Sequence, residues 1–107
     1  MIMYGSPPEA IPVPDRTLAH LKLVMVAKLR RGETFTLSVT PEDEAAGYGR
    51  QTIWISPDIP LRFVFDDPVG PSINKLWLER LAVSANSTGG LLIVPEPDWP
   101  PRPGASS

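Results

Sequence analysis

Strict alternation of apolar and polar side chains over residues 34–40 is the clearest pattern in the chain. Phe35 and Val39 belong to the apolar side of this run, and threonines and a serine occupy the polar side. A period of two is typical of a β-strand with one buried face. Two similar runs follow at Gln51–Ser56 and Leu61–Phe65. Together the three runs predict an antiparallel meander.

A helical period precedes the first of these strands. Apolar residues recur every three or four positions, at Leu18, Leu21, Met25 and Leu29. This spacing predicts an amphipathic helix. Asp15 is expected to cap its N-terminus by accepting hydrogen bonds from free amides of the first turn, and Gly32 is expected to end it. A second helix is predicted over Ile73–Ser87, with Ser72 as its cap.

Short apolar runs complete the predicted secondary structure. Met1–Tyr4 and Ala10–Val13 suit an edge hairpin, because the prolines around them cannot donate ladder hydrogen bonds. Leu91–Val94 is apolar throughout and predicts a buried strand. The order ββ-α-βββ-α-β indicates a two-layer α+β domain, with two helices on one face of a mostly antiparallel sheet. We expect this single domain to span residues 1–94, followed by a proline-rich flexible tail over residues 95–107.

Composition narrows the classes of function. The chain has 107 residues, no cysteine, one histidine and a net charge of −2. Without cysteine there are no disulfides, thiolate metal sites or cysteine nucleophiles. A slightly acidic chain has no general attraction to nucleic acid or to an anionic membrane. No apolar run reaches the ~20 residues of a membrane span, and the start lacks a secretory pattern. We therefore expect a cytoplasmic protein with no cofactor, no metal and no membrane partner.

Acidic residues cluster in two predicted loops. They are Glu42, Asp43 and Glu44 in one loop and Asp66 and Asp67 in the other. Carboxylate oxygens suit hard metal ions, but the spacing matches no calcium-binding loop. We therefore expect these acidic loops to contribute to solubility.

Basic side chains concentrate on one side and at the end of the first predicted helix. They are Arg16, His20, Lys28, Arg30 and Arg31. One interpretation is contact with phosphate groups. The other is a solvated face whose last cations favour the helix dipole. His20 has no second histidine or cysteine for a metal site, and no serine has the glycine pattern of a nucleophile elbow. A plain surface histidine is expected.

Trp54 is predicted to point outward from the meander. The same side is expected to carry Thr36, Ser38, Thr52, Arg62 and Val64. An aromatic ring beside an arginine on an open sheet is one way to stack nucleic-acid bases. Contact with a protein partner or with the tail explains an outward tryptophan as well, and so does partial burial.

Segments spread over nearly the whole chain except the tail carry a family resemblance. They include Asp15–Leu21, Lys28–Glu33, Ile53–Ile55, Ser84–Ser87, Gly89–Leu91 and Val94–Pro97. In these segments the sequence resembles an uncharacterised family of small actinobacterial proteins of similar length, whose members are often labelled "ATP-dependent DNA ligase".

The chemistry of such ligases does not support that label for this chain. They attach AMP to the lysine of a K-x-D-G motif, and none of Lys22, Lys28 and Lys75 has that context. The chain is also too short to hold a nucleotidyltransferase domain together with the fold that closes over DNA. An association with DNA repair through a partner stays open.

Three functions follow from these patterns. The first is a non-catalytic protein-interaction module that binds another protein or a second copy of itself. The alternative is an accessory nucleic-acid-binding protein linked to DNA repair or ligation. The third is a small enzyme built on His20, which requires a pocket with an acid or nucleophile nearby. The candidate binding residues are Arg16, His20, Lys28, Arg30, Arg31, Trp54 and Arg62. No catalytic residue and no metal ligand is assigned.

Overall fold

Six strands and two helices make up the fold in a computed structural model, which describes residues 1–41, 47 and 49–100. The elements are β1 (Ile2–Tyr4), β2 (Glu9–Ile11), α1 (Asp15–Arg30), β3 (Phe35–Val39), β4 (Gln51–Ile55), β5 (Leu61–Phe63), α2 (Lys75–Ala85) and β6 (Leu91–Leu92). The predicted α+β class and the order of elements are confirmed. The acidic run Glu42–Glu44 and residues 101–107 of the predicted tail lie outside the described residues.

The strands form two sheets of three strands each, where the sequence predicted one. One sheet has the order β2-β1-β5 and is antiparallel, so β1 is its central strand. The other has the order β4-β3-β6, with β6 parallel to β3. The predicted meander is therefore right for β3 and β4 and wrong for β5. That strand pairs with β1, where Arg62 lies opposite Met3.

The core brings together one face of each helix and the inner faces of the strands. The predicted stripe of α1 is buried at Leu18, Leu21 and Met25, while Leu29 packs against it from the edge. Other fully buried members are Ile2, Leu37, Ile55, Leu81 and Leu91. Burial of each such side chain stabilises the fold by roughly 1.5–3 kcal/mol. The alternating pattern of β3 is confirmed, because Phe35, Leu37 and Val39 are all buried.

The ends of α1 differ in how well the sequence predicted them. Pro14 is the N-cap, and no side chain caps this end. Asp15 is the first helical residue, and its carboxylate instead accepts hydrogen bonds of 2.9 Å from the backbone N–H groups of Asp66 and Asp67. These two bonds lower the pKa of Asp15. The predicted stop at Gly32 is confirmed by its φ of +74°.

α2 is shorter than predicted at both ends. Asn74, two residues after the predicted cap Ser72, is the N-cap, and its Oδ1 accepts from Trp77 N at 3.0 Å. Ile73 therefore precedes the helix and is exposed, and Val83 within the helix is 73% exposed. β6 ends at Leu92, and the register opposite Ser38 leaves Leu92 exposed on the outer side of its sheet.

Candidate functional site

The seven predicted binding residues do not form one surface. His20 and Lys28 are buried between elements, Arg16 and Arg31 pair with carboxylates, and Arg30 is exposed at the end of α1. Trp54 and Arg62 lie on different sheets. The structure thus divides the predicted set into a polar network around α1, and separate exposed positions.

His20 is fully buried, so its predicted surface location is wrong. Its Nε2 lies 2.8 Å from the backbone nitrogen of Asn74, and its Nδ1 lies 2.7 Å from the carbonyl oxygen of Arg16. A backbone N–H only donates, so Nε2 accepts and the neutral ring carries its proton on Nδ1, which donates to Arg16. The ring also packs 4.6 Å from the ring of Trp77, between centroids. His20 lies outside the main apolar stripe of α1, but it is buried because α2 packs against that side of α1.

Arg16 binds the segment that follows β6. Its guanidinium donates to both carboxylate oxygens of Glu96, at 2.7 and 2.5 Å, and to the carbonyl oxygen of Ser72 at 3.1 Å. The Asn74 side-chain amide donates to the same carboxylate at 2.9 Å and to the carbonyl oxygen of Pro97 at 2.8 Å. Arg16 first, and Asn74 second, lower the pKa of Glu96 to about 2. These groups join both helices to residues 96–97.

Lys28 ties the two helices together and is not a free cation at the surface. Its side chain is 8% exposed, and its Nζ donates to Asn86 Oδ1 at 2.9 Å. The ammonium also lies 5.6 Å from the centre of the Phe35 ring. Its predicted place on a solvated face is therefore wrong, again because α2 packs there. Arg31 donates to Glu33 at 2.8 Å, and this bond lowers the pKa of Glu33.

The outer face of the second sheet carries the exposed tryptophan. Thr36, Ser38, Thr52 and Trp54 share this face as predicted, because Thr36 pairs with Trp54 and Ser38 with Thr52 in the ladder. Trp54 is 57% exposed. The expectation that Arg62 and Val64 share the face is wrong, because β5 belongs to the other sheet. The aromatic ring therefore has no arginine of β5 beside it.

β4 is an edge strand, and among the residues described its side away from β3 is contacted by another residue only at the C-terminal end of the strand. The Tyr4 hydroxyl donates to Trp54 O at 2.5 Å and accepts from Ser56 N at 3.2 Å. Backbone groups of alternate residues point to opposite sides of a strand, so Thr52 presents its N–H and C=O on the same open side. In the described part of the chain no strand pairs with that side. Unpaired edges of this kind are sites of strand addition.

An open groove of about 530 Å³ lies elsewhere, between α1 and the segment before α2. Its apolar walls are Leu23, Phe65 and Ile73, and Lys22 lies 5.9 Å from the centre of the Phe65 ring. Leu23 and Ile73 are both exposed. The groove offers apolar side chains, whereas β4 adds backbone donors and acceptors to an exposed aromatic ring.

Residues 1–41, 47 and 49–100 hold no group of three or more histidine, aspartate or glutamate side chains placed to bind a metal ion. None of the helices in those ranges combines the length and apolar character needed to cross a bilayer.

Comparison with known proteins gives one match. A family model described as "Domain of unknown function (DUF7882)" matches residues 1–96 of the chain. The chain belongs to this family. The resemblance to an uncharacterised family is thus confirmed, while the actinobacterial origin of that family and the frequent ligase labelling of its members stay predictions. No curated protein and no solved structure matches this DUF7882 domain. The match ends at Glu96, the residue that pairs with Arg16.

Sequence reasoning missed several residues that organise these sites in this DUF7882 domain. Asn74 had a detectable signal, because asparagine is among the best N-cap residues and stands directly before the apolar spacing of α2. Arg50 lies directly before β4 and is exposed. The sequence contains no comparable signal for Tyr4 or Glu96, since their partners are distant along the chain.

Proposed function

We propose that this chain is a non-catalytic protein-interaction module and that it binds through the edge of β4 and the side chain of Trp54. The observation that carries the proposal is Trp54, which is 57% exposed and belongs to β4, an edge strand with an open side. Tryptophan is enriched among the residues that dominate binding energy at interfaces. An edge strand adds main-chain hydrogen bonds to that contact. The proposal keeps the cytoplasmic location expected from the sequence.

The geometry around His20 supports a non-catalytic role. A general base needs a free nitrogen lone pair near a substrate. In His20 the lone pair of Nε2 accepts from the backbone N–H of Asn74, and the N–H at Nδ1 donates to the backbone carbonyl oxygen of Arg16. Both ring nitrogens are therefore used in hydrogen bonds within the protein. The imidazole has a structural role between the two helices.

The alternative function, an accessory nucleic-acid-binding protein linked to DNA repair or ligation, has less support. Phosphate contact requires cations that are free to approach the backbone of the nucleic acid. Arg16 and Arg31 face carboxylates and Lys28 is buried. The exposed Arg30 and Arg62 remain for such a role. A labelled DNA shift assay at low salt, where phosphate contacts are strongest, would favour this alternative if it detected binding.

Site-specific photocrosslinking in the native cells tests the protein-interaction proposal. A photoreactive phenylalanine is placed at position 54 in one variant and at position 83 in a control variant. Val83 is also exposed, but it lies on α2. We expect protein adducts at position 54 and none at position 83. Equal adducts at both positions, or none at position 54, would refute the proposed surface.

A further inference from the structure

Residues 94–97 leave the second sheet and lie against the N-terminal ends of both helices. β6 ends at Leu92, and the chain goes on as Val94-Pro95-Glu96-Pro97. Each proline fixes its own φ, lacks an N–H and favours an extended backbone in the residue before it. The side chain of Val94 packs against the core. The segment is thus a short stiff peptide that offers more hydrogen-bond acceptors than donors.

Two side chains at the start of α2 donate to the backbone of this segment. Trp77 Nε1 donates to Val94 O at 2.9 Å, and Asn74 Nδ2 donates to Pro97 O at 2.8 Å. Both donors belong to buried residues. Because a buried donor without an acceptor is costly, these two groups favour a peptide with carbonyl oxygens at the same spacing.

The carboxylate of Glu96 is bound between those two backbone contacts. Arg16 donates to both of its oxygens, and Asn74 Nδ2 donates to one of them. The paired N–H groups of a guanidinium match a carboxylate in distance and plane. We call Arg16, Asn74 and Trp77 the donor groove. Its hydrogen bonds select an acidic residue that lies two positions after one bound carbonyl and directly before the other.

His20 holds the donor groove in place from the interior. Its ring lies 4.6 Å from the ring of Trp77, between centroids, and its Nε2 accepts from the backbone N–H of Asn74 at 2.8 Å. Asn74 Oδ1 in turn caps α2. None of these contacts uses residues 94–97, so the groove is supported by the two helices and is preorganised for an extended peptide.

An open cavity of about 370 Å³ lies beside the segment and gives access to the donor groove. Its lining includes Arg16 and Asn74 on one side and Trp99 on another. The side chains of Arg16 and Glu96 are both partly exposed. A competing carboxylate therefore has access to the guanidinium while the rest of the segment is still bound.

We propose that the donor groove is a binding site for a partner peptide of the pattern Val-Pro-Glu-Pro, and that residues 94–97 occupy it as an autoinhibitory ligand. Extended proline-containing peptides suit grooves with an aromatic wall, because little conformational freedom is lost on binding. This surface is separate from β4 and goes beyond the interaction proposed there. A short tether holds the chain's own segment at an effective concentration on the order of millimolar, so the wild type binds a free peptide weakly.

Release of residues 94–97 in the full chain tests this proposal. The probe is a fluorescent peptide, Ile-Val-Pro-Glu-Pro-Asp with blocked ends, and its binding is measured by anisotropy. Glu96→Lys places a cation opposite Arg16, which frees the groove and should lower the peptide Kd about tenfold relative to wild type. Glu96→Gln should lower it less. Glu33→Lys is the matched control, because it breaks the exposed pair with Arg31 and should leave the peptide Kd unchanged.

Two further measurements assign the binding to the donor groove. Adding Arg16→Glu to Glu96→Lys repels the glutamate of the peptide and restores opposite charges within the chain, so peptide binding should be lost. Nitrogen-15 NMR of the indole N–H groups should show a peptide-induced shift at Trp77 in Glu96→Lys and none at Trp54. Circular dichroism and thermal unfolding check that each variant is folded.

The outcomes decide between a peptide site and a purely structural contact. Tighter binding in Glu96→Lys, lost on adding Arg16→Glu and detected at Trp77, supports the proposal. Folded Glu96→Lys or Glu96→Gln protein that binds the peptide no more tightly than wild type overturns it. Binding that persists in the double variant, or that shifts Trp54 in place of Trp77, also overturns it. The crosslinking test at position 54 is independent of all these results.

Discussion

Replacing Gly90 with alanine tests the close approach of the β6 segment to β3. Gly90 has a φ of +79°, and a Cβ built on it would lie 2.0 Å from Thr36 Oγ1 and 2.9 Å from Thr36 O. The Thr36 hydroxyl is able to rotate away, but the carbonyl oxygen belongs to the ladder of β3. Gly32 is a matched control, because its φ is +74° and nothing lies within 4 Å of the corresponding Cβ.

Both substitutions place an alanine at a left-handed φ, but only Gly90→Ala also overpacks its surroundings. A left-handed φ costs an alanine roughly 1–2 kcal/mol, partly offset by the ~0.4–1 kcal/mol that the lost freedom of the unfolded chain returns. Gly32→Ala should therefore lower the free energy of unfolding by about 1 kcal/mol. Gly90→Ala adds an overpacking cost of roughly 1–3 kcal/mol, for a total of about 2–4 kcal/mol.

Urea unfolding followed by tryptophan fluorescence and circular dichroism measures both variants at one pH. Gly90→Ala in a Thr36→Ala background should recover part of the loss, because the 2.0 Å contact is removed while the 2.9 Å contact with the backbone oxygen remains. A Gly90→Ala variant as stable as Gly32→Ala would refute the close approach of the two segments. Equal m-values are required for the comparison.

Two further predictions concern the network around α1. Glu96 has an ordinary pKa of 4.5 and a folded pKa of about 2, so its ionised form stabilises the fold fully above pH 4.5, and this stability is lost as the pH falls toward 2. Glu96→Gln should thus lower the urea midpoint at pH 7, with the difference from wild type closing near pH 2; a constant difference over that range would argue against the pairing with Arg16. Nitrogen-15 NMR of His20 at neutral pH should show a protonated Nδ1 and an unprotonated Nε2, as its two hydrogen bonds require. A protonated Nε2 in the neutral ring would contradict that geometry.

Local patterns predicted the elements better than their pairing. The alternation in β3 and β4 identified both strands and the face that each buries, because a period of two follows directly from the geometry of an extended chain. The pairing of β5 with β1 has no local signal. Consecutive strands are neighbours in most proteins, and a meander was the natural expectation. The parallel position of β6 beside β3 depends likewise on contacts between distant segments.

The misplaced residues share a physical cause. A single helical stripe separates apolar from polar positions when a helix packs on one side, but α1 contacts α2 as well as the strands. His20 and Lys28 lie in that second contact. Both satisfy their polar groups there, His20 through backbone atoms and Lys28 through Asn86. Sequence periodicity contains no information about a second neighbour, so their burial was not predictable from it.

The candidate surface was predicted in part. The outward direction of Trp54 follows from the alternation in β4, and it is confirmed. Its expected neighbour Arg62 was wrong because the assignment depended on the meander. The role of Tyr4 at the edge of β4 joins two sheets and was invisible in the sequence, since the residues in contact are far apart along the chain.

The parallel pairing of β6 with β3 also constrains when the domain is able to fold during synthesis. Leu91 and Leu92 pair with Leu37 and Ser38, and about half of the chain lies between the two strands. During synthesis on the ribosome, the edge of β3 that pairs with β6 therefore stays unpaired until almost the whole domain has been translated. At a translation rate of roughly 5–20 residues per second that delay amounts to several seconds. Over this interval the nascent chain depends on β4 alone to cover β3.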